Sequence, residues 1–450
     1  MKNWVIKTHK NCHNDELVAI MLLLIFGELM YPGISNAIVQ YISDPNSVDG
    51  EAEMLLNVIC VGVGGYIYDE HNKPRPGVFM SCARLVAEHL GIMHIPEVRN
   101  LIEWVSYADS TKDVRKYEVS TLVKQWHRLR PGQEREVYLR HRQIMADVLR
   151  YDRGDVRRGK RTFTMTELAD KVTLEIGSKI TNVPTPDPNA VKALDIVTKA
   201  LKAADHKELR PLEIFRVFNI WQELIPVEHH MMVTRMVMRI VEDMIARETW
   251  FQTTRENLRA RLKSKEKRFV NIHLGRSLSP RQLRVLNDSE ASQFVASDYP
   301  LADKQPQENR LRCIIENTDD AEFAAAARSL GADLVIVQNS RGNVQVFVNS
   351  HKNPNLDLSR AMGVIRIREL IVRKKGAGKN PPSKLYWQKP GKVSEVPQWY
   401  YHWEGQMLLN GSDQSSTDVE PTMLTTRQIF NIIRDHAQWN KLRFQIKLAA

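Results

Sequence analysis

His9, His13 and Asp15, spaced His-x-x-x-His-x-Asp, carry the side chains of a divalent-metal site. Imidazole and carboxylate are good ligands for manganese, zinc or iron, and a loop leaving a strand can fold three such groups around one ion. A second set, Asp69, Glu70 and His71, follows another hydrophobic stretch, and Asp109 lies at the end of a helical segment. Simpler readings compete with this one. Asn14 or Asp15 suits the start of a helix, where acids such as Asp15 and Glu16 are favoured by the helix dipole. Asp109 alone is an ordinary solvated acid at a helix end. Capping, however, requires neither histidine.

The elements that must position these residues are legible on either side. Trp4 to Lys7 is β-branched and aromatic, and Leu17 to Phe26 is unbroken hydrophobe, so the polar residues fall in the connection between two buried elements. From Lys2 to about Asp113 strand-like and helix-like segments alternate: "NWVIKTH", "DELVAIMLLLIFGELM", "AIVQYI", "LLNVICVGV", "SCARLVAEHLG" and "PEVRNLIEWVSYAD". Such alternation predicts a mostly parallel α/β sheet with helices on its faces. His9, His13, Asp15, the acidic-histidine cluster and Asp109 can then converge in one cleft at the carboxyl ends of the strands.

Beyond Val114 the chain turns charged and helical in period, with "QWHRLRPGQEREVYLRHRQ" and "RGDVRRGKR" as its densest basic patches and "TNVPTPDPNA" as a linker or long turn. Val233, Val237, Ile240, Met244 and Ile245 recur at helical spacing and read as a core stripe. A polar connector runs from about Ser279 to Gln307. After it come the strand "RCIIEN", the helix "DAEFAAAARSLG", a hairpin turning at Arg341-Gly342-Asn343, a helix from about Leu356 to Lys374, and a final helix from Thr426. The predicted domains are therefore 1–113, an α/β metal-site domain; 114–278, a mainly helical basic region; and 308–450, a smaller α/β substrate-binding domain.

With 450 residues and 43% hydrophobic content the chain can bury a large core. A formal charge of +11 and a pI of about 9.4 favour an anionic partner, nucleic acid or nucleotide before membrane surface. Arg128, Arg130, Arg140, Arg142, Arg157, Arg158, Lys160 and Arg161 are the candidate phosphate contacts; a solvated helical face is the alternative. The four cysteines, Cys12, Cys60, Cys82 and Cys313, have no C-x-x-C pair, so neither a disulfide framework nor a thiolate zinc site is suggested, and a reducing, cytoplasmic compartment is expected. The apolar run after Glu16 is too short to cross a membrane and reads as a buried helix. A dinucleotide fingerprint is excluded, because its third glycine would fall on Ile67. "KKGAGKN", Lys374 to Asn380, lacks the glycine spacing and hydroxyl residue of a phosphate loop and reads as a basic loop. Asn343 and Asn410-Gly411-Ser412 are candidate substrate-binding turns, with an ordinary hairpin and loop as the alternative.

"THKNCHNDELVA" resembles the T-H-x-x-x-H-x-D-E signature of the melanocyte proliferating gene family, a branch of the DHH phosphoesterase superfamily. "VGVGGYIYDEH" is similar to its "VDVGG" strand end and Asp-His-His motif, "SCARLVAEHLG" to its following helix, and "VSYADS" to the segment with its last metal-binding aspartate. The likeness covers roughly the first quarter of the chain; further on it rests on "LVIVQNSRGNVQVFVN" and "LLNGS". It implies a DHH-like sheet domain and a divalent-metal phosphoesterase, manganese-dependent with magnesium or zinc as alternatives, acting as a nuclease on RNA or DNA. By position, His9, His13, Asp15, Glu70 and Asp109 would be metal ligands. His71 and Asp69 would be catalytic, with His71 facing the phosphate. Gly62 stands where the superfamily has a metal-bridging aspartate, and Glu70 where it has a histidine. In another register Asp69 aligns with an earlier aspartate and the third motif is absent. These departures support a second reading, a non-catalytic nucleic-acid-binding or scaffold protein with a degenerate site; a third, a small-nucleotide phosphoesterase, shares the metal site and differs in the size of the cleft. Restoring both family residues, by Gly62→Asp with Glu70→His, is expected to bring in a second ion unless the backbone at 62 needs glycine.

Overall fold

The structure is a computed structural model of the 450-residue chain. It describes residues 3–44, 47–70, 75, 77–111, 113–154, 161, 163–274, 310–374, 383–402, 406–411 and 419–439. It is mixed α/β, with a parallel sheet and a second, mixed sheet, and divides into two compact units, 1–253 and 254–412 with 419–450. Among the described residues no helix is long and apolar enough to cross a membrane.

In the first unit, β1 (Val5–His9) lies between β2 (Ile38–Ile42) and β3 (Val58–Cys60), and all three run parallel. Val5 pairs with Ile38 on one side and Val58 on the other, so the strands start level and end at a common edge. The polypeptide leaves β1 through a short turn into α1 (Asn14–Phe26). Every residue of α1 from Asn14 to Leu23 is buried, which is why its apolar run has no amphipathic period. It packs against α3 (Cys82–His89), α4 (Pro96–Thr111), α5 (Val119–Leu129) and α6 (Glu134–Arg153), which follow the short α2 (Gly50–Leu55).

The sequence places a boundary between 113 and 114, but one hydrophobic core runs from Trp4 through Trp126, Ile144 and Phe218 to Ile245. The basic middle region supplies that core because its helices are amphipathic: α5 buries Leu122, Val123 and Trp126, and α6 buries Ile144, Met145 and Val148. Val233, Val237, Ile240, Met244 and Ile245 are buried as expected, on α11 (His230–Lys263). Between them come α7 (Met165–Val172), a π-helical turn at Thr173–Gly177, α8 (Ser178–Thr181), α9 (Pro188–Ala204) and α10 (Ile214–Leu224). The expected linker is shorter than read, because Pro188 opens α9 behind the cap Asp187, a position where proline fits a helix.

The second unit is built on a seven-stranded sheet. In chain order its strands are β4 (Val270–His273), β5 (Arg310–Asn317), β6 (Leu334–Gln338), β7 (Val344–Val348), β9 (Gly391–Val393), β10 (Val396–His402) and β11 (Met407–Leu409). Their spatial order is β4-β5-β6-β7-β11-β10-β9, and only β5 and β6 are parallel, joined through α12 (Phe323–Ser329). The expected hairpin forms, with Leu334 opposite Val348. The helix read from Leu356 starts later, as α13 (Ser359–Val372), because Leu356 and Asp357 form β8 and pair with β12 (Gln438–Trp439). The final helix runs from Thr426 to His436. The polar connector from Ser279 to Gln307 and most of "KKGAGKN" lie outside the described residues.

Candidate metal centre

The centre is assembled at the carboxyl ends of the parallel strands. His9 is the last residue of β1, and its ring is held at both nitrogens. Nδ1 lies 2.7 Å from the Lys10 carbonyl and Nε2 lies 3.0 Å from Glu16 Oε1. The Lys10 carbonyl accepts from Nδ1, and Nε2 is the nitrogen that faces Glu16; metal-bound histidines are commonly held by such a carbonyl. His13 precedes α1 as its N-cap, and its backbone N–H donates to Glu16 Oε2 at 2.7 Å. Glu16 therefore caps the helix with one oxygen and meets His9 with the other. The sequence read Asn14 or Asp15 as suited to the helix start and Asp15 with Glu16 as its capping acids; the structure gives the capping contact to Glu16, the third residue of the helix, which reaches back to the cap.

Asp15 points elsewhere. Its Oδ2 accepts the Cys82 backbone N–H at 3.3 Å, at the first residue of α3. Among the described residues three overlapping groups of ligand atoms result: His9, His13 and Glu16; His13, Asp15 and Asp109; and Asp15, Glu70 and Cys82. Within each group the ligand atoms lie within 4.8 Å of one another. All five positions expected to hold metal thus meet in one cluster, threaded by His13 and Asp15. Glu16 and Cys82 belong to it as well, and the sequence did not mark either as a ligand. Glu16 was read only as a capping acid, and Cys82 lies far from Asp15 in sequence.

The electrostatics follow from packing acids together out of water. Burial pushes Asp15 well above the usual carboxylate range, and Glu16, Asp109 and Glu70 push it the same way. Burial alone would raise Glu16 too, but the His9 ring, hydrogen-bonded to it, outweighs burial and holds that group well below its ordinary value. His13 is lowered to about 3, by burial first and then by Lys124. It stays neutral near pH 7, which is the form that donates a lone pair to an ion. Burial, Glu70 and Asp15 push the Cys82 thiol up. Behind the turn, the buried His127 and His141 brace residues 12–14: Nε2 of His127 lies 3.1 Å from the Cys12 carbonyl, and Nε2 of His141 lies 2.7 Å from Asn14 Oδ1.

Gly62 sits just past β3 with φ of +67°. A Cβ there would come within 2.8 Å of Glu16 Cγ and 3.3 Å of Cys82 Sγ. The backbone conformation and the crowding both oppose a side chain, so the restoration expected from Gly62→Asp has no room, and Glu16 fills the space that aspartate would need.

The other expected site residues are placed as follows. Asp69 is nearly buried, accepts the Gly65 N–H at 2.9 Å, and belongs to none of the three ligand groups. His71, Arg157, Arg158, Lys160 and Ser412 lie outside the described residues. Arg161 pairs with Glu223 at 2.8 Å, and Arg130 and Arg140 both pair with Asp243 at 2.6 Å. Arg128 is half-buried and Arg142 exposed. In the second unit Asn343 and Asn410 are buried against each other, with Asn343 Nδ2 3.3 Å from Asn410 Oδ1. Asn410 Nδ2 donates to the Gln398 and Glu420 carbonyls, each at 3.1 Å, and Gly411 accepts from Gln345 at 2.8 Å. These amides hold neighbouring backbone segments together.

No protein-family model, curated protein or solved structure matches this chain.

Proposed function

We propose that the first unit is a DHH-like, divalent-metal-dependent phosphoesterase that hydrolyses phosphodiester bonds of RNA or DNA. The observation that carries this reading is the convergence of His9, His13, Asp15, Glu70 and Asp109, from three separate parts of the chain, at the carboxyl ends of parallel strands. The donor set of neutral imidazole and carboxylate fits manganese, and also magnesium or zinc. A divalent ion held there supplies Lewis acidity toward a phosphoryl oxygen and lowers the pKa of water. The residues themselves do the rest. Lys10 orients His9, Glu16 fixes the turn that carries His13, and the start of α3 holds Asp15. His71 and Asp69 are the proposed proton-handling pair. Arg128, Arg142, Arg157, Arg158 and Lys160 are the proposed phosphate contacts.

A small phosphorylated nucleotide is the second reading. It is favoured by the internal pairing of Arg130, Arg140 and Arg161, which leaves these three cations less available to a long polyanion.

The test is hydrolysis of single-stranded RNA, single-stranded DNA and dinucleotides by the full chain with manganese, beside calorimetry of manganese binding. The expected result is turnover by the native protein, with at least a ~100-fold loss of metal affinity in His13→Ala. Metal binding without turnover of any substrate would favour the non-catalytic alternative. Equal affinity in native protein and variant would remove the site assignment.

A further inference from the structure

Seven donor side chains meet in the cluster, and they are not chemically alike. Toward β1 lie nitrogen and oxygen: His9, His13 and Glu16. Toward α3 lie two carboxylates and a sulfur: Asp15, Glu70 and Cys82. The cysteine is held in place from two directions. It is the first residue of α3, behind the cap Ser81, whose hydroxyl accepts the Arg84 N–H at 3.1 Å. Its own backbone N–H is fixed by the carboxylate it would share an ion with, that of Asp15. Cys82 is fully buried, so the sulfur is directed into the cluster rather than toward solvent.

The Cys82 thiol donates to Glu70 Oε2 at 2.7 Å, and the Asp15 oxygen lies within 4.8 Å of both. A tetrahedral ion with bonds of about 2.0–2.3 Å separates its donors by roughly 3.3–3.8 Å, so small movements bring all three to ligand distance. At Gly62 a Cβ would meet Glu16 Cγ at 2.8 Å and Cys82 Sγ at 3.3 Å, so the glycine lets the sulfur-bearing and histidine-bearing groups lie side by side with no side chain between them.

We propose that Cys82 is a metal ligand, and that Asp15, Glu70 and Cys82 form a sulfur-containing subsite that selects zinc over manganese. This rests on the metal-centre reading above and adds to it a division of labour. The His13, Asp15 and Asp109 group, with two carboxylates and no sulfur, suits a harder ion, and the thiolate subsite suits a softer one, because thiolate ligands favour zinc while carboxylate and water suit manganese and magnesium. Binding of M²⁺ at this subsite displaces the thiol proton to solvent and forms the metal–sulfur bond, with no change of oxidation state. Asp15, common to both sides, is the residue through which the two ions would meet. The lone cysteine gives no paired spacing, so the sequence carries no zinc signature for this arrangement.

The experiment is titration of the full chain with cobalt(II), a spectroscopic stand-in for zinc, with total binding measured by equilibrium dialysis. The native protein should show a near-ultraviolet sulfur-to-cobalt charge-transfer band. Zinc should abolish that band and equimolar manganese should leave it. Cys82→Ser should lose the band and at least ~100-fold in zinc affinity, whereas Cys12→Ser and His9→Ala should keep it. Bound cobalt with no such band would overturn the sulfur ligand while leaving the metal centre standing. Failure to bind cobalt, zinc or manganese in dialysis would overturn both. Should Cys82→Ser fail to fold, X-ray absorption of the zinc-loaded native protein decides the matter. A sulfur shell near ~2.3 Å supports the proposal, and a shell of only nitrogen and oxygen near ~2.0–2.1 Å refutes it.

Discussion

Both units bury charged side chains, and they do so in opposite ways. In the second unit Glu369 is fully buried on α13, and its carboxylate accepts from Trp399 Nε1, the Thr422 hydroxyl, the Met423 backbone N–H and Arg373 Nε. Arg366, one turn earlier, is equally buried and donates to the carbonyls of Trp387, Lys389 and Gly391. These groups hold segments together. In the first unit Asp15 is as deeply buried but faces Glu16, Asp109 and Glu70, which raise its pKa instead of steadying its charge. A carboxylate surrounded by donors is structural; carboxylates gathered against one another oppose folding, and such groups cluster at functional sites.

The contrast can be tested where it predicts opposite outcomes. The largest effect is expected at Glu369: Glu369→Leu strips four donors of their acceptor and should destabilise the protein by about 3–5 kcal/mol, read from the urea midpoint. A loss below about 1 kcal/mol would mean that those donors find water. Next comes Gly62→Asp, which imposes a left-handed backbone on a non-glycine residue and crowds Glu16; about 2–4 kcal/mol should be lost, with no added ion in dialysis. A folded Gly62→Asp variant that bound an extra ion would restore the bridging-aspartate expectation.

The pH dependence is smaller and directional. Burial lowers His127 to about 4 and His141 to about 3, against an ordinary value of 6.5. Below 6.5 the unfolded chain binds protons that the fold excludes at these two histidines, so their contribution to stability should be level above that pH and fall as pH drops from about 6.5 toward 3. The limiting slope is about 1.4 kcal/mol per pH unit for each histidine. Replacing His141 by Gln should flatten the curve measured by urea midpoints between pH 7 and pH 5; an unchanged slope would assign the protons elsewhere. The smallest effect is expected at Asp15. Asp15→Asn keeps an acceptor for the Cys82 N–H and removes a like charge, so in the metal-free protein stability at pH 7 should hold or rise by up to about 1 kcal/mol, while metal affinity falls. A large loss of stability would place Asp15 with Glu369 as a structural acid.

The sequence made the local half of this arrangement legible. The break from β-branched residues to an apolar run located β1, α1 and the turn between them, and Arg341-Gly342-Asn343 located the hairpin. What it could not carry were relations across the chain. Nothing near Cys82 announces Asp15, because only packing of α1 against α3 brings them together. The basic middle looked like a separate polyanion-binding region, since charge is conspicuous in sequence while the apolar faces that join it to the first core appear only once the helices are stacked. Gly62 looked like a lost ligand, and its positive φ belongs to a turn whose shape depends on residues farther along, where its N–H donates to the Tyr68 carbonyl at 2.9 Å.

Helix α1 gives the centre one further property. His13, Asp15 and Glu16 occupy its very beginning, and from Leu17 to Leu23 every side chain is sealed from solvent. The donors are therefore mounted on a shaft that cannot turn without disturbing the core, and their entropy of ordering is lost when the protein folds rather than when an ion arrives. The proposed centre is preorganised, and its tuning extends to apolar residues one to two turns away: a cavity cut beside Ile20 would loosen the bearing and be felt as weaker ion binding at the helix start.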